Sequence, residues 1–283
     1  MTIKIVTDSS CDLGIDFVKK NNIEFVPLLL NLDGENIEDD LGKSLGYREF
    51  YDKLREGSMP STSQINIYTF EEKFRELLNE GYEILYLGLS SALSGTFNSA
   101  NMARNNILEE NPNAKISVVD SLSVSMGVGM LVKKSCDMIE EGKDLEYITT
   151  WIEENKNKVI HSILVDDLKH LKRGGRISAS TAAVGSLLNI KPILKIDNNG
   201  AVEATEKIKG KKKALKYLAT VVKEKAVNIE SETLYIMHGD ALEEAQVLKD
   251  IILQELNFKE IKIQYIGTVI GSHGGPGTIA TIF

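Results

Sequence analysis

The chain is poor in cysteine and has no long apolar run. Its 283 residues include two cysteines, Cys11 and Cys136, which lie far apart and have no metal-ligand spacing around them. We expect both to be free thiols in a reducing cytoplasm. No stretch approaches the roughly 20 apolar residues of a membrane helix. The N-terminus, MTIKIVTDSS, also lacks the charged start and apolar core of a signal peptide. The sequence therefore predicts a cytoplasmic protein without stable membrane insertion.

Positive charge is scarce relative to negative charge. The formal net charge is -8, and because phosphate binding needs a basic surface, nucleic acid is not an expected partner. His161, His170 and His238 have no mutual spacing typical of metal ligands, so we interpret them as structural and expect no metal. A hydrophobic content of 42% and a charged content of 26% are typical of a globular protein. The length suits one large or two ordinary domains.

Strands that end in polar turns recur in the first half of the chain. Predicted strands cover residues 3–7, 24–31, 83–89 and 116–119. Three of them lead into turns that are rich in Ser and Asp and that open helices. This alternation predicts an α/β fold with a mostly parallel sheet between helices. In such sheets, ligands bind beyond the carboxyl ends of the strands.

Four segments are expected to lie outside the regular core. Residues 35–45 are polar and acidic and should lie on the surface. STSQ at 61–64 follows a proline and should form a loop. The glycine-dense stretch 267–277 should be a loop around His273. Because little follows Gly277, the strand predicted at 261–266 is expected to be the last one.

The stretch LSSALSGTFNSA at residues 89–100 is a candidate anion site. It joins a strand to a helix through small hydroxyl residues, and the first N–H groups of a helix favour negative charge. Alternatively, Ser94 only caps the helix. Asp8 and Ser10 follow another strand and either belong to a site or cap the next helix.

Three further segments supply candidate ligands for an anion. The hydroxyls of STSQ could bind an oxyanion or cap the following helix. The KRGGR segment lets the backbone approach a ligand while Arg176 adds fixed positive charge. Glycines on both sides of His273 favour a functional histidine over loop packing.

Taken together, the motifs resemble those of the DegV family. The matching segments occur in the family's order and cover nearly the whole chain: TDSSCDL at 7–13, STSQ at 61–64, LSSALSGTFNSA at 89–100, VVDS at 118–121, LKRGGRIS at 171–178, LLNIKPIL at 187–194 and GSHGGPG at 271–277.

The resemblance implies a two-domain α/β protein. Residues 1–157 would form an α/β/α sandwich with a mostly parallel sheet. Residues 158–283 would form an α/β domain with an antiparallel sheet backed by helices. The lipid site would lie at the junction, with segments near 35–64 and 267–283 crossing between domains.

The resemblance also implies a function. Family members of known role are the fatty-acid-binding subunit of bacterial fatty acid kinase, a carrier without catalytic activity of its own. They bind a long-chain (C14–C18) fatty acid and present its carboxyl group to an ATP-dependent kinase subunit, and the acyl phosphate feeds phospholipid synthesis. No cofactor is implied.

By the same resemblance, Thr62, Ser94 and His273 hold the carboxyl group, and Arg176 serves phosphotransfer or docking of the kinase. The residues implied around them are Ser61, Gly95, Gly175 and Gly274. The sequence departs from the family pattern after TSQ, where Ile65 and Asn66 replace Pro-Ser, and after His273, where Gly274 replaces Thr.

Two other functions remain open from the residues alone. A serine hydrolase or acyltransferase could use Ser94, His273 and a carboxylate such as Asp8 or Asp120, although the chain has no G-x-S-x-G motif. A phosphoryl-binding protein could use the same anion site, although a P-loop is missing.

Overall fold

The computed structural model describes residues 2–178 and 189–283. Leu187 and Leu188, which open the LLNIKPIL segment, lie outside this part. The strands before residue 158 are β1 (Ile3–Asp8), β2 (Glu24–Val26), β3 (Leu29–Leu32), β4 (Glu35–Glu38), β5 (Ser61–Ser63), β6 (Glu83–Gly88) and β7 (Ile116–Asp120). The helices of the same region are α1 (Ile15–Lys20), α2 (Tyr47–Glu56), α3 (Ile67–Asn79), α4 (Thr96–Glu110), α5 (Met126–Glu140) and α6 (Leu145–Asn155), with 3-10 turns at Ser9–Cys11 and Lys156–Lys158.

The rest of the chain is richer in antiparallel strands. Its elements are β8 (His161–Leu164), α7 (Lys169–Arg173), β9 (Ile190–Ile196), β10 (Val202–Lys209), α8 (Lys211–Lys225), β11 (Thr233–His238), α9 (Leu242–Leu253), β12 (Glu260–Tyr265), α10 (Thr268–Gly274) and β13 (Ile279–Ile282).

The elements form two compact units built from non-contiguous segments. The first unit takes its described residues from Met1–Leu41, Thr62–Lys158 and Asn198–Gly200. The second takes them from Gly42–Ser61, Val159–Asp197 and Ala201–Phe283. The chain therefore enters the second unit early, with α2, and returns to the first before β6.

The first unit is a layered α/β sandwich. Its sheet has the order β2-β1-β6-β7, and all three strand pairs are parallel. Helices α3 and α4 pack together, as do α5 and α6, and both pairs contact β6. Every residue of β6 is buried, as expected for a central strand covered on both faces.

The second unit has one six-stranded sheet of order β10-β9-β8-β13-β11-β12. Its pairs are antiparallel except β11 and β12. Helices α8 and α9 pack against each other and share a core with strand residues such as Leu164, Ile236 and Ile279. The predicted α/β class, with one mostly parallel sandwich and one antiparallel sheet backed by helices, is confirmed.

Several local predictions are wrong. The apolar run 24–31 is not one strand, because it breaks at Pro27 into β2 of the parallel sheet and β3 of a separate sheet with order β4-β3-β5. Residues 35–45 are not merely surface, since β4 pairs with β3 and Asp39, Leu41 and Leu45 are buried. STSQ is not a plain loop, because residues 61–63 form β5.

The end of the chain differs most from expectation. The strand predicted as the last one is followed by α10 and by β13. Strand β13 lies in the interior of the second sheet, between β8 and β11. His273 therefore lies in a short helix, and the glycine-dense segment leads into a buried strand instead of a free terminus.

Candidate functional site

Polar side chains gather at the carboxyl ends of β1, β6 and β7 in the first unit. Asp8 ends β1, Asp120 ends β7, and the turn 89–95 follows β6. Within these turns, Ser90, Ser121 and Ser123 are buried. Because parallel strands put their carboxyl ends on one edge, the Ser- and Asp-rich turns of the sequence meet there.

Ser94 stands just before α4 and is half-buried. Its Oγ accepts a hydrogen bond from Thr96 N–H at 3.2 Å and lies 2.9 Å from Thr96 Oγ1. The N-cap residue of α4 is Gly95, without a side-chain cap hydrogen bond, so the alternative interpretation of Ser94 as the N-cap is wrong, although Ser94 accepts the first N–H of the helix. When the Thr96 hydroxyl donates, Ser94 keeps its own proton for the oxygen of a ligand, so its contacts with Thr96 are compatible with anion binding.

The STSQ segment lies against this turn. Ile65 N–H donates to Thr96 Oγ1 at 3.4 Å, and Gln64 Nε2 lies 3.2 Å from Ser99 Oγ. The Gln64 amide also covers Gly95 so closely that a Cβ there would clash with it. Half-buried Thr62 lies in β5, two residues before Gln64, with exposed Ser61 next to it.

The second unit brings the other two predicted residues together. The ring of His273 lies directly against Gly174, where a Cβ would clash with Nδ1. Arg176 Nη1 donates a hydrogen bond to the Gly174 carbonyl. Gly175 follows with a left-handed φ of 73°, a conformation that glycine adopts at little cost. The GGR segment at 174–176 therefore packs against the helix that carries His273.

Positive groups surround His273. Burial and, in decreasing order, the charges of Arg176, Arg173 and His170 together lower its pKa to about 4. Burial also lowers the pKa of Arg176. At neutral pH the imidazole is therefore neutral and can donate one N–H. The partly desolvated guanidinium beside it favours an anionic ligand.

The two carboxylates considered for a catalytic triad accept hydrogen bonds from neighbouring main-chain and side-chain groups. Asp8 is fully buried and accepts hydrogen bonds from Ser10, Tyr86 and Leu89. Burial raises its pKa, against the effect of these donors. Asp120 Oδ1 accepts main-chain N–H groups of Ser91 and Leu122. Asp8 caps the 3-10 turn Ser9–Cys11, whereas α1 begins without a side-chain cap.

Some neighbours of the site were not predicted from the sequence. Gln64, Thr96 and Gly174 each contact a predicted residue, and the charges of Arg173 and of His170, which was interpreted as structural, act on His273. Gln64, Thr96, Arg173 and Gly174 lie inside the motifs, which was the available signal. Their partners depend on tertiary packing that spacing does not reveal.

The described residues offer no metal site and no membrane span. They include no group of three or more His, Cys, Asp or Glu side chains arranged for a metal ion. Among the described helices, none combines the length and hydropathy needed to cross a membrane. Cys11 and Cys136 are both free and buried.

Comparison with known proteins gives a consistent result over the full length. The family model "Uncharacterised protein, DegV family" matches residues 2–283. A DegV domain-containing protein of Clostridium perfringens is 46% identical over 279 residues, covering 99% of this chain and 96% of that protein.

Two solved structures are similar to this fold. A DegV family protein from Thermus thermophilus, described for its fatty acid binding, is 33% identical with a TM-score of 0.89, covering 100% of this chain and 99% of that one. A DegV family protein from Eubacterium eligens, loaded with heptadecanoic acid, is 28% identical with a TM-score of 0.84, covering 99% of both chains. This chain belongs to the DegV family.

Proposed function

We propose that this protein binds one long-chain (C14–C18) fatty acid and acts as a carrier without catalytic activity of its own. The observation that carries the proposal is the polar patch of the first unit, where the STSQ segment packs against the turn that holds Ser94. Relatives of the same fold bind fatty acids, and one holds a C17 acid.

We assign the carboxyl group to Thr62, Ser94 and His273. A carboxylate taken out of water must be hydrogen-bonded or neutralised. Two hydroxyls and a neutral imidazole can donate to it without a metal. Gly95, Gly175 and Gly274 belong to the segments that carry or adjoin these side chains, and Ser61 adds a further hydroxyl next to Thr62.

The tail supplies the affinity. Burial of some 16 CH2 groups at about 0.8 kcal/mol each gives about 13 kcal/mol before the costs of association. This is enough to keep a lipid bound during purification. The carboxyl site then adds selectivity and fixes the position of the reacting group.

We further propose that a separate ATP-dependent kinase subunit phosphorylates the bound carboxyl group, for use in phospholipid synthesis in the bacterial cytoplasm. Arg176 supports this step, because its guanidinium is partly desolvated, hydrogen-bonded to the Gly174 carbonyl and close enough to His273 to lower the pKa of that imidazole. A guanidinium suits a phosphoryl group through paired N–H donors.

Mass spectrometry of the purified protein tests the binding proposal. We expect a C14–C18 fatty acid at roughly one molecule per chain, since the buried tail should survive purification. A protein that carries no lipid and does not take up added oleate would contradict the proposal.

The role of Arg176 needs a separate test with the kinase subunit of the same cell. We expect Arg176→Ala to keep its lipid and to lose acyl-phosphate formation. Lys172→Ala, which removes an exposed cation of the same segment, is the matched control and should retain turnover. Normal turnover by the Arg176 variant would rule out its proposed role.

A further inference from the structure

Carboxylates on both sides hold the turn that carries Ser94. Strand β6 lies between β1 and β7, and its ladder with β1 ends at Tyr86 and with β7 at Gly88. Past these pairs, the first N–H groups of the turn have no strand partner. Leu89 N–H donates to Asp8 Oδ2 at 2.9 Å, and Ser91 N–H donates to Asp120 Oδ1 at 3.1 Å.

Asp8 is enclosed by donors. Its Oδ1 accepts from Ser10 N–H at 3.0 Å and from the Ser10 hydroxyl, and its Oδ2 also accepts from the Tyr86 hydroxyl at 2.9 Å. The carboxyl group is 0% exposed. A Cβ at Gly88 would clash with both Asp8 and Tyr86, so this position leaves the carboxyl group little room to move.

Asp120 binds the turn through one oxygen. The same Oδ1 accepts from Ser91 N–H and from Leu122 N–H, both at 3.1 Å. Between the two anchored N–H groups lies Ser90, whose carbonyl accepts from Leu93 N–H at 3.0 Å and from Ser94 N–H at 3.1 Å. The position of Ser94 is thus linked to both carboxylates through Ser90.

We propose that Asp8 and Asp120 are positioning residues that fix the turn 89–95 so that Ser94 meets a ligand carboxyl group. The inference rests on the proposed function. Two negative groups near an anion site oppose binding of the anion by charge alone. Their presence is explained by the main-chain N–H groups that they anchor, because an acceptor in a buried turn holds the backbone more tightly than water would.

Asp120 offers a variant pair that separates charge from positioning. Asp120→Asn and Asp120→Ala remove the same negative charge. The asparagine keeps an Oδ1 that can accept both N–H groups, whereas alanine keeps neither bond. If charge mattered most, both variants would bind oleate more tightly; if positioning matters, only the alanine variant loses affinity.

The experiment compares the binding of oleate and of oleyl alcohol to the delipidated protein by calorimetry. The alcohol has the same tail without the carboxylate, so the ratio of the two affinities isolates the carboxyl site. We expect Asp120→Ala to lower the oleate-to-alcohol ratio about tenfold, in line with the loss of two hydrogen bonds at a partly buried site. Asp120→Asn should stay within about threefold of wild type. In a Ser94→Ala background, Asp120→Ala should add little.

Asp8 is tested by the same ratio. Asp8→Ala should lower it; if that variant does not fold, Asp8→Asn keeps the size. In Asp8→Asn, one carboxylate oxygen becomes an NH2 group, which cannot accept the main-chain N–H of Ser10 or Leu89. We therefore expect a decrease in the affinity ratio that lies between those of the wild type and Asp8→Ala. Asp144→Ala removes a similar main-chain acceptor, the cap of α6, away from the turn and should leave the ratio unchanged.

Two results would overturn the inference. Equal losses for oleate and oleyl alcohol in Asp120→Ala would mean a general structural role. A wild-type ratio in folded variants of Asp8 and in Asp120→Ala would mean that the carboxylates do not position Ser94. Failure of the proposed function looks different, because the wild-type protein would then bind neither ligand.

Discussion

At the scale of single residues, His273 shows how its surroundings set its chemistry. Burial and three neighbouring cationic or imidazole groups lower its pKa to about 4. The side chain is therefore neutral at physiological pH, which suits hydrogen bonding to a carboxylate. The lowered pKa also makes the second unit sensitive to acid, because His273 binds a proton at a higher pH in the unfolded chain than in the folded chain.

The sign and size of this acid sensitivity can be predicted. The folded pKa lies below the ordinary value of 6.5, so the stabilising contribution is complete above that value and falls as the pH drops toward 4. At about pH 5, the wild-type protein should have lost about 2 kcal/mol more stability than His273→Gln, relative to about pH 7. Urea unfolding of the delipidated proteins, monitored by circular dichroism, measures the difference. Parallel pH profiles for the two proteins would refute the assignment.

The motifs indicate candidate site residues but do not show which contacts hold them in place. Ser94, Thr62, Arg176 and His273 stand out because each lies in a segment rich in small or polar residues. The anchoring of Leu89 by Asp8 depends on β1 and β6 being neighbours, although the two partners are 81 positions apart in the sequence. Spacing along the chain carries no information about such a contact.

At the scale of elements, long periodic segments were predicted well and short ones poorly. The helix predicted after STSQ is α3, which begins at Ile67 with Asn66 as its cap. The run 24–31 reads as one apolar strand, yet Pro27 removes a ladder hydrogen bond and lets the chain change sheets. Strand β5 consists of three polar residues, so it has no hydrophobic alternation from which a strand could be predicted.

Strand β13 is the most consequential element that was missed. It has four residues, IATI, after a glycine-rich segment, and its partners β8 and β11 lie far back in the chain. A short apolar run at a chain end resembles a disordered tail as much as a strand. Only pairing with two neighbours makes it part of the core.

A substitution in β13 tests its contribution to stability. Ile279 is 0% exposed within the core shared by the sheet and helices α8 and α9. Ile279→Ala should therefore lower the free energy of unfolding by about 3 kcal/mol. Leu253→Ala in α9 removes a side chain that is 49% exposed and should cost about 0.5 kcal/mol. Similar urea midpoints for the two variants would show that β13 contributes little.

At the scale of the whole molecule, the order of segments along the chain does not match the compact units. The resemblance predicted a boundary at 157/158, with segments near 35–64 and 267–283 crossing. The second unit includes Gly42–Ser61, and residues 267–283 stay in it. The amphipathic pattern of α2 predicts an apolar face. It does not tell which sheet that face covers, because both units offer apolar surfaces.

Helix α2 is bound firmly within the second unit. Phe50 and Tyr51 are each 0% exposed, and the Tyr51 hydroxyl donates to the Ile266 carbonyl at 2.9 Å. Gly239 and Gly271 approach the Tyr51 ring so closely that a Cβ at either would contact it. Arg55 adds a hydrogen bond to the Asp240 carbonyl at 2.9 Å. A fragment that lacks α2 would therefore expose a large apolar surface.

Dividing the gene at the predicted boundary tests how the units depend on the chain path. We expect the fragment 158–283 alone to aggregate or to give a poorly dispersed amide NMR spectrum, because the surface that α2 covers is exposed to water. Joining residues 42–61 to its N-terminus through a flexible linker should restore solubility and dispersion. The control is the same fusion with Phe50→Ser and Tyr51→Ser in α2, which should restore neither solubility nor dispersion. A well-folded fragment 158–283 without α2 would mean that the helix is dispensable for the unit. Restoration by α2 would show that residues before position 62 complete the fold around His273.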